Sequence, residues 1–192
     1  MKRFMFVLGF LVSAVPLFAQ TAGWKLDRAH SGLSFSIKHM VISEVTGNFK
    51  DYDIVVVSSK DDFSDLAVTA TIKVASINTE NDGRDKHLKS DDFFNAEKFP
   101  EIKFVSTSVE KAGEKNFKIN GDLTIRDVTK KVTFDAVYNG SLKTQRGTLA
   151  AWKATTAINR FDYNLKWSRA IEIGGLVVGE TVNITLNIEL NK

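Results

Sequence analysis

Residues 181–190 read Thr181-Val182-Asn183-Ile184-Thr185-Leu186-Asn187-Ile188-Glu189-Leu190, TVNITLNIEL. Apolar and polar side chains alternate without a break. Successive side chains of a strand point to opposite faces. The segment is therefore a half-buried strand, with Val182, Ile184, Leu186, Ile188 and Leu190 inward and Thr181, Asn183, Thr185, Asn187 and Glu189 outward. The same period recurs upstream. Leu33, Phe35 and Ile37 alternate with Ser34, Ser36 and Lys38. Leu66, Val68, Ala70, Ile72 and Val74 form a second set, and Val132, Phe134, Ala136 and Tyr138 a third. Further strands are expected near Gly47–Val57, Ile102–Glu110, Phe117–Ile125 and Thr148–Ile158. The count is about eight. Ala112-Gly113, Asn120-Gly121 and Asn139-Gly140 supply turn chemistry between them, the last as a hairpin turn after Tyr138. Gly121 also falls inside a strand pattern and reads as a bulge or sharp bend. Regularly spaced antiparallel strands over this length predict a sandwich or a closed barrel.

The first 19 residues are read separately. Met1-Lys2-Arg3 is a basic start, Phe4–Phe18 a nearly unbroken apolar run, and Ala19-Gln20 the return to polarity. That is the layout of a secretory signal peptide. The run falls short of the roughly 20 residues a membrane-spanning helix needs, so no membrane span is expected in the mature protein. The expected location is periplasmic or secreted. The chain contains no cysteine, which excludes a lipid-anchored lipoprotein, disulfides and thiol chemistry. Residues 20–192 then form one domain large enough for a substantial core. Without Lys2 and Arg3, 24 basic and 23 acidic residues remain, a net charge near +1. No basic stripe is visible, so nucleic acid is not an expected partner.

One stretch breaks the alternation. Arg84–Phe104, RDKHLKSDDFFNAEKFPEIKF, holds His87, four Phe and Pro100. Asp82 and Ser90 both suit helix N-caps, and Asp91-Asp92 suits a helix start. A short helical segment is expected around residues 82–97, ended by Pro100, with a strand beginning at Glu101 or Ile102. Such a segment either caps the sheet or lines what the sheet encloses. Phe93, Phe94, Phe99 and Phe104 could equally plug a barrel from within. If Phe93 and Phe94 lie on a helix they point about 100° apart, and only one of them lines the cavity.

Catalytic signatures are absent: there is no Gly-x-Ser-x-Gly elbow and no His-Glu-x-x-His pair. His30 and His39 stand nine residues apart on opposite strand faces, poor geometry for a metal. Gly174-Gly175 and Gly179 lack the spacing of a dinucleotide loop. No cofactor and no metal are expected.

Trp24–Phe35 (WKLDRAHSGLSF), Ile37-Lys38-His39-Met40, Gly47-Asn48-Phe49, Ile77–Phe104 and Asn120–Lys130 (NGDLTIRDVTK) together resemble the YceI-like family of secreted bacterial lipid-binding proteins. The likeness runs through essentially the whole mature chain. It implies an extended lipocalin-like antiparallel eight-stranded β-barrel with a helix packed at one side. It also implies a hydrophobic cavity for an isoprenoid or similar fatty-chain lipid. Gly23 and Trp24 are adjacent here, unlike the Gly-x-Trp of true lipocalins, so that likeness is one of shape. Tyr163, in Asn159–Tyr163, replaces a glycine common in the family and is expected to reshape one end of the cavity. The candidate ligand-contacting residues are Phe35, Ile37, His39, Arg84, His87, Leu88, Phe93, Phe94, Phe99 and Phe104. Arg84 could instead be held by Asp85 or another acid.

Three functions follow as expectations. The first is non-catalytic storage or transport of a lipid. The second is a structural or stress-response interaction protein with a filled core. The third is a hydrolase, should Arg84, His87, a carboxylate and a Ser converge. Both a monomer and a homodimer are compatible with the sequence.

Overall fold

The computed structural model describes residues 23–170 and 174–192. The expected signal peptide lies outside the described residues. The strands are β1 (Gly23–Leu26), β2 (Gly32–His39), β3 (Ser43–Phe49), β4 (Tyr52–Val57), β5 (Ala67–Lys73), β6 (Ile77–Asn78), β7 (Glu101–Lys111), β8 (Asn116–Ile125), β9 (Val128–Thr144), β10 (Gly147–Asn159) and β11 (Val178–Asn191), with one helix, α1 (Asp82–Lys89). All pairings are antiparallel.

The eleven segments make eight rungs of a closed, lipocalin-like barrel. β1 and β2 lie end to end along β11, through Lys25↔Asn191 and Leu26↔Leu190 for β1 and Gly32↔Asn187 to Val178↔His39 for β2. β3 with β4, and β5 with β6, are broken rungs of the same kind. Strands β7 to β11 complete the meander. The pairing of β1 with β11 closes the ring. Where Asp27–Ser31 leaves the ladder, Asp27 N donates to Glu189 O (2.9 Å) and Glu189 N donates to Ser31 Oγ (2.9 Å). The other two breaks are joined to each other: Lys73 N donates to Asp51 O (2.9 Å) and Lys50 N to Ser76 O (3.2 Å). β6 pairs only with β3, and α1 with residues 90–99 closes the wall beside it. Lys89 Nζ reaches Ala75 O at 3.3 Å, and Arg126 Nη1, from the β8–β9 turn, reaches Phe93 O at 2.8 Å.

Three local expectations are corrected. Asn139-Gly140 is not a hairpin turn but lies within β9, where Gly140 faces Ala151, Tyr138 faces Trp152 and Asn139 is the extra residue of a bulge. Gly140 has φ +131°, which glycine adopts at little cost. The hairpin turn falls later, at residues 145–146 between β9 and β10. At Asn120-Gly121 the strand also continues; the irregularity is on β7, where Thr107 is the unpaired residue. Gly121 allows the Phe104 ring and Val105 O to come within 2.5 Å of where a Cβ would stand. The helix ends at Lys89, with Asn81 as N-cap accepting from Arg84 N (2.9 Å). Ser90 is its C-cap, and its Oγ donates to His87 O (2.8 Å). Residues 91–98 are hydrogen-bonded turns, and the next strand starts at Glu101.

One end of the barrel is stoppered by rings. Phe63, 3% exposed with φ +56°, lies 5.7 Å from Trp24, 5.0 Å from Tyr138 and 5.1 Å from Trp152. Each such aromatic pair adds about 0.5–1.5 kcal/mol beyond the area it buries. That offsets the strain of a left-handed phenylalanine.

Gly121→Ala is expected to destabilise the protein by about 1–3 kcal/mol in urea unfolding, because the new methyl group meets a backbone carbonyl that cannot move. Gly32→Ala, with nothing within 4 Å of the new atom, should stay within about 0.5 kcal/mol. At the β1–β11 seam, His30 Nδ1 stands 3.1 Å from Asp27 Oδ2. Asp27 raises the His30 pKa and His30 lowers that of Asp27. The pair therefore stabilises the fold most between the ordinary values of 3.8 and 6.5. Its contribution fades as pH rises through the elevated His30 value or falls through the depressed Asp27 value. His30→Ala should lower the urea midpoint more at pH 5.5 than at pH 9; equal losses would remove the ion pair as the cause.

Candidate ligand-binding site

The inward faces of the eight rungs surround a cavity of about 210 Å³, larger than the ~150 Å³ apolar cavity that takes up benzene. The interior is therefore not filled. All five aliphatics of the C-terminal alternation border it, from Val182 to Leu190, together with Leu33, Phe35 and Ile37 of β2. The surface they present is wholly apolar. Trp152 is the one ring of the aromatic stopper that reaches it.

At the other end the cavity adjoins a second space, a vestibule of about 400 Å³ between β2, α1 and the segments before and at the start of β11. Phe35, Ile37, Leu88, Phe93 and Val178 border both spaces. The vestibule adds the polar groups: Lys38, His39, Thr79, Arg84 and His87, beside Val45, Gly83, Trp167 and Val177. No carboxylate borders it among the described residues.

The ten sequence candidates divide by place. Phe35, Ile37, Leu88, Phe93, Phe94 and Phe104 border the cavity, and His39, Arg84 and His87 the vestibule. Phe99 borders neither; Arg126 lies 5.4 Å over its ring outside the cavity. Phe93 and Phe94 both reach the interior, because they sit on a turn and not on a helix. Phe94 N donates to Leu88 O (3.0 Å), and its ring meets Phe49 edge-on. Phe93 packs with His87 at 5.0 Å and Trp167 at 5.5 Å.

Arg84 and Asp85 do not pair with each other but converge on Thr79. Arg84 Nε donates to Thr79 Oγ1 (2.7 Å) and Nη2 to Thr79 O (2.6 Å). Asp85, buried, accepts from Thr79 N (2.9 Å) and Oγ1 (2.6 Å). This aims the arginine while leaving its Nη1 outside that network. His87 Nε2 stands 2.8 Å from Asp92 Oδ2. No serine or threonine hydroxyl bonds to the His87 ring among the described residues, and Ser90 Oγ contacts only its backbone carbonyl. The convergence expected of a hydrolase is not formed there.

The alternation of side chains did not reveal Arg160. It is 2% exposed and touches the cavity with carbon alone. Nε donates to Gly179 O (2.7 Å), Nη1 to Leu165 O (2.5 Å) and Trp167 O (2.8 Å), and Nη2 to Val178 O (3.0 Å). Burial lowers its pKa, with Glu180 acting in the opposite direction. The guanidinium thus ties the loop after β10 to the start of β11 and seats Trp167 at the vestibule. Its presence in Asn159–Tyr163 was the available signal; Trp167, in an unpatterned loop, gave none. Tyr163 borders neither space: it is buried under the same loop, where burial pushes its hydroxyl up to about 12.

Residues 24–190 match the model of the YceI-like domain. A UPF0312 protein of Staphylococcus aureus is 41% identical over 167 residues, 86% of this chain and 95% of that protein. The crystal structure of a Campylobacter jejuni YceI protein is similar at 36% identity, with a TM-score of 0.70 over 88% of this chain and 96% of that one. A polyisoprenoid binding domain from Saccharophagus degradans shares the fold at 14% identity, with a TM-score of 0.63 over 90% and 99%.

Arg160→Met nearly keeps the volume but removes the guanidinium donors from four carbonyls. Unpartnered buried acceptors cost about 1–3 kcal/mol each before relaxation. A loss of roughly 3–5 kcal/mol is expected in chemical denaturation. Hydrogen exchange should accelerate first at residues 176–180, and an unchanged exchange pattern would count against the clamp.

Proposed function

The chain belongs to the YceI-like family, and on that footing we propose that its barrel binds an isoprenoid or similar long-chain amphiphilic lipid, as a store or carrier and without catalysis. One observation carries the reading: a wholly apolar cavity that shares five bordering residues with a vestibule whose polar groups are cationic or neutral. A hydrocarbon tail needs apolar walls, and a headgroup needs a few convergent polar groups at one end. Burying ten methylenes at about 0.8 kcal/mol each supplies about 8 kcal/mol. Micromolar affinity corresponds to a similar figure, so tail burial carries most of the binding and the vestibule selects the headgroup. Arg84, Lys38, His39 and His87 favour a headgroup rich in acceptor oxygens. The polyisoprenoid binding domain of Saccharophagus degradans, which shares the fold, supports the isoprenoid class. The open interior speaks against a structural protein with a filled core. The signal-peptide layout of residues 1–19 supports action in the periplasm or outside the cell.

Mass spectrometry of organic extracts from protein purified from its native compartment should yield a stoichiometric prenyl or fatty-chain lipid. Ala154, half-buried on the cavity wall, offers the matched control. Ala154→Phe should fill the space and cut bound lipid at least tenfold while the far-ultraviolet spectrum is retained. Equal lipid content in both proteins, or none in either, would overturn the carrier reading.

A further inference from the structure

The turn joining β2 to β3 carries three consecutive apolar residues held out in solvent: Met40, Val41 and Ile42 are 43%, 56% and 85% exposed. The other large exposed hydrophobics among the described residues, such as Val55, Val105 and Leu142, come one at a time, as on any soluble surface. The backbone adds a second cost. Met40 has φ +49° and Val41 φ +68°. Asn, Asp and Gly adopt that conformation readily, whereas for a β-branched residue it is an outlier. A turn kept only to reverse the chain would discard both costs through Asn-Gly. Exposure and strain at the same residues point to a use.

The turn also forms the rim of the vestibule. Lys38 and His39, which immediately precede it, border that space. Met40 N donates to Val177 O (2.9 Å), and Val177 N donates to Arg169 O (2.8 Å). The apolar tip, the mouth and the segment around Arg169 are thus one surface. Among the described residues its exposed cations include Lys38 and Arg169, with Arg84 across the mouth; Glu44 faces Lys38 at 3.5 Å and leaves that side chain 66% exposed. Three residues at a convex tip fall far short of the roughly 800 Å² per partner that a stable protein interface buries. They match shallow insertion beneath lipid headgroups, assisted by cations at an anionic surface.

We propose that this rim docks the barrel on an anionic lipid bilayer. Met40, Val41 and Ile42 enter the headgroup–acyl boundary, and the mouth faces the membrane, so that an amphiphile passes between bilayer and cavity without crossing water. The inference rests on the carrier reading for its purpose, but its test is separate. Residues 20–192 are used, because the apolar run before them would bind vesicles by itself, and the barrel closes without it. Flotation is measured with phosphatidylglycerol–phosphatidylcholine vesicles and with phosphatidylcholine alone. The protein should float with the anionic vesicles, less so at high salt. The triple substitution Met40→Asn, Val41→Gly and Ile42→Ser should reduce partition at least tenfold while Tm holds or rises, since it relieves strain. Unchanged flotation of that variant, no flotation of the parent on anionic vesicles, or a dimer in sedimentation that the same substitutions dissolve would overturn docking. Uptake of geranylgeraniol, followed by tryptophan fluorescence, is measured alongside and should be equal in parent and variant. Its loss in both would sink the carrier reading and leave the flotation result to stand on its own.

Discussion

Closure of the sheet on β11 is the constraint from which the rest of the molecule follows. An open sheet of this length would leave a row of unpaired backbone groups, and a ring has no such edge. Here one long strand serves two partners on the same side, β2 over most of its length and β1 at its end. The price is a break in that rung, repeated in the two rungs that follow. Because the breaks are stitched to one another and to Glu189, the ladder loses few hydrogen bonds at them. What it loses is a continuous wall near β6, and α1 with its following turns occupies that place.

Closure also explains why the interior is apolar but not full. Every inward position of eight rungs points at one axis, and an eight-stranded ring leaves space for side chains or one small ligand. Aromatic rings gather at one end around Phe63, so that end is solid. At the other end, aliphatic side chains and the Phe93–His87–Trp167 group stand between the cavity and the vestibule. Polar chemistry collects only there. Arg84 is aimed through Thr79, whereas Arg160 is wholly consumed by carbonyls and serves as a clamp.

Legibility varied with the range of the interaction. The alternation in β2, β5, β9 and β11 was plain, and most of the face it marked is the cavity wall. Turn chemistry was less reliable. Asn139-Gly140 carries a hairpin signal, yet the register of β9 against β10 makes it a bulge, because cross-strand pairing over many residues outweighs a two-residue preference. Ser90 is equally suited to start or end a helix, and the packing of Phe93 and Phe94 into the barrel decided that it ends one. Three-dimensional proximity was invisible in the same way: Asp27, His30 and Glu189 meet at the seam although Glu189 lies at the far end of the chain.

By itself the sequence determined that this is an antiparallel β protein, a sandwich or a barrel, with an apolar inward face, no thiol chemistry and one charged, aromatic insertion against the sheet. These are properties of neighbouring residues, and a period of two or a run of Phe can be read in place. Only the tertiary structure decided where the interior stays empty, which charges face the mouth, and that Arg84, Asp85 and Thr79 act together while Phe99 stands outside. Those outcomes depend on how distant strands register around a ring, and no local pattern encodes that distance.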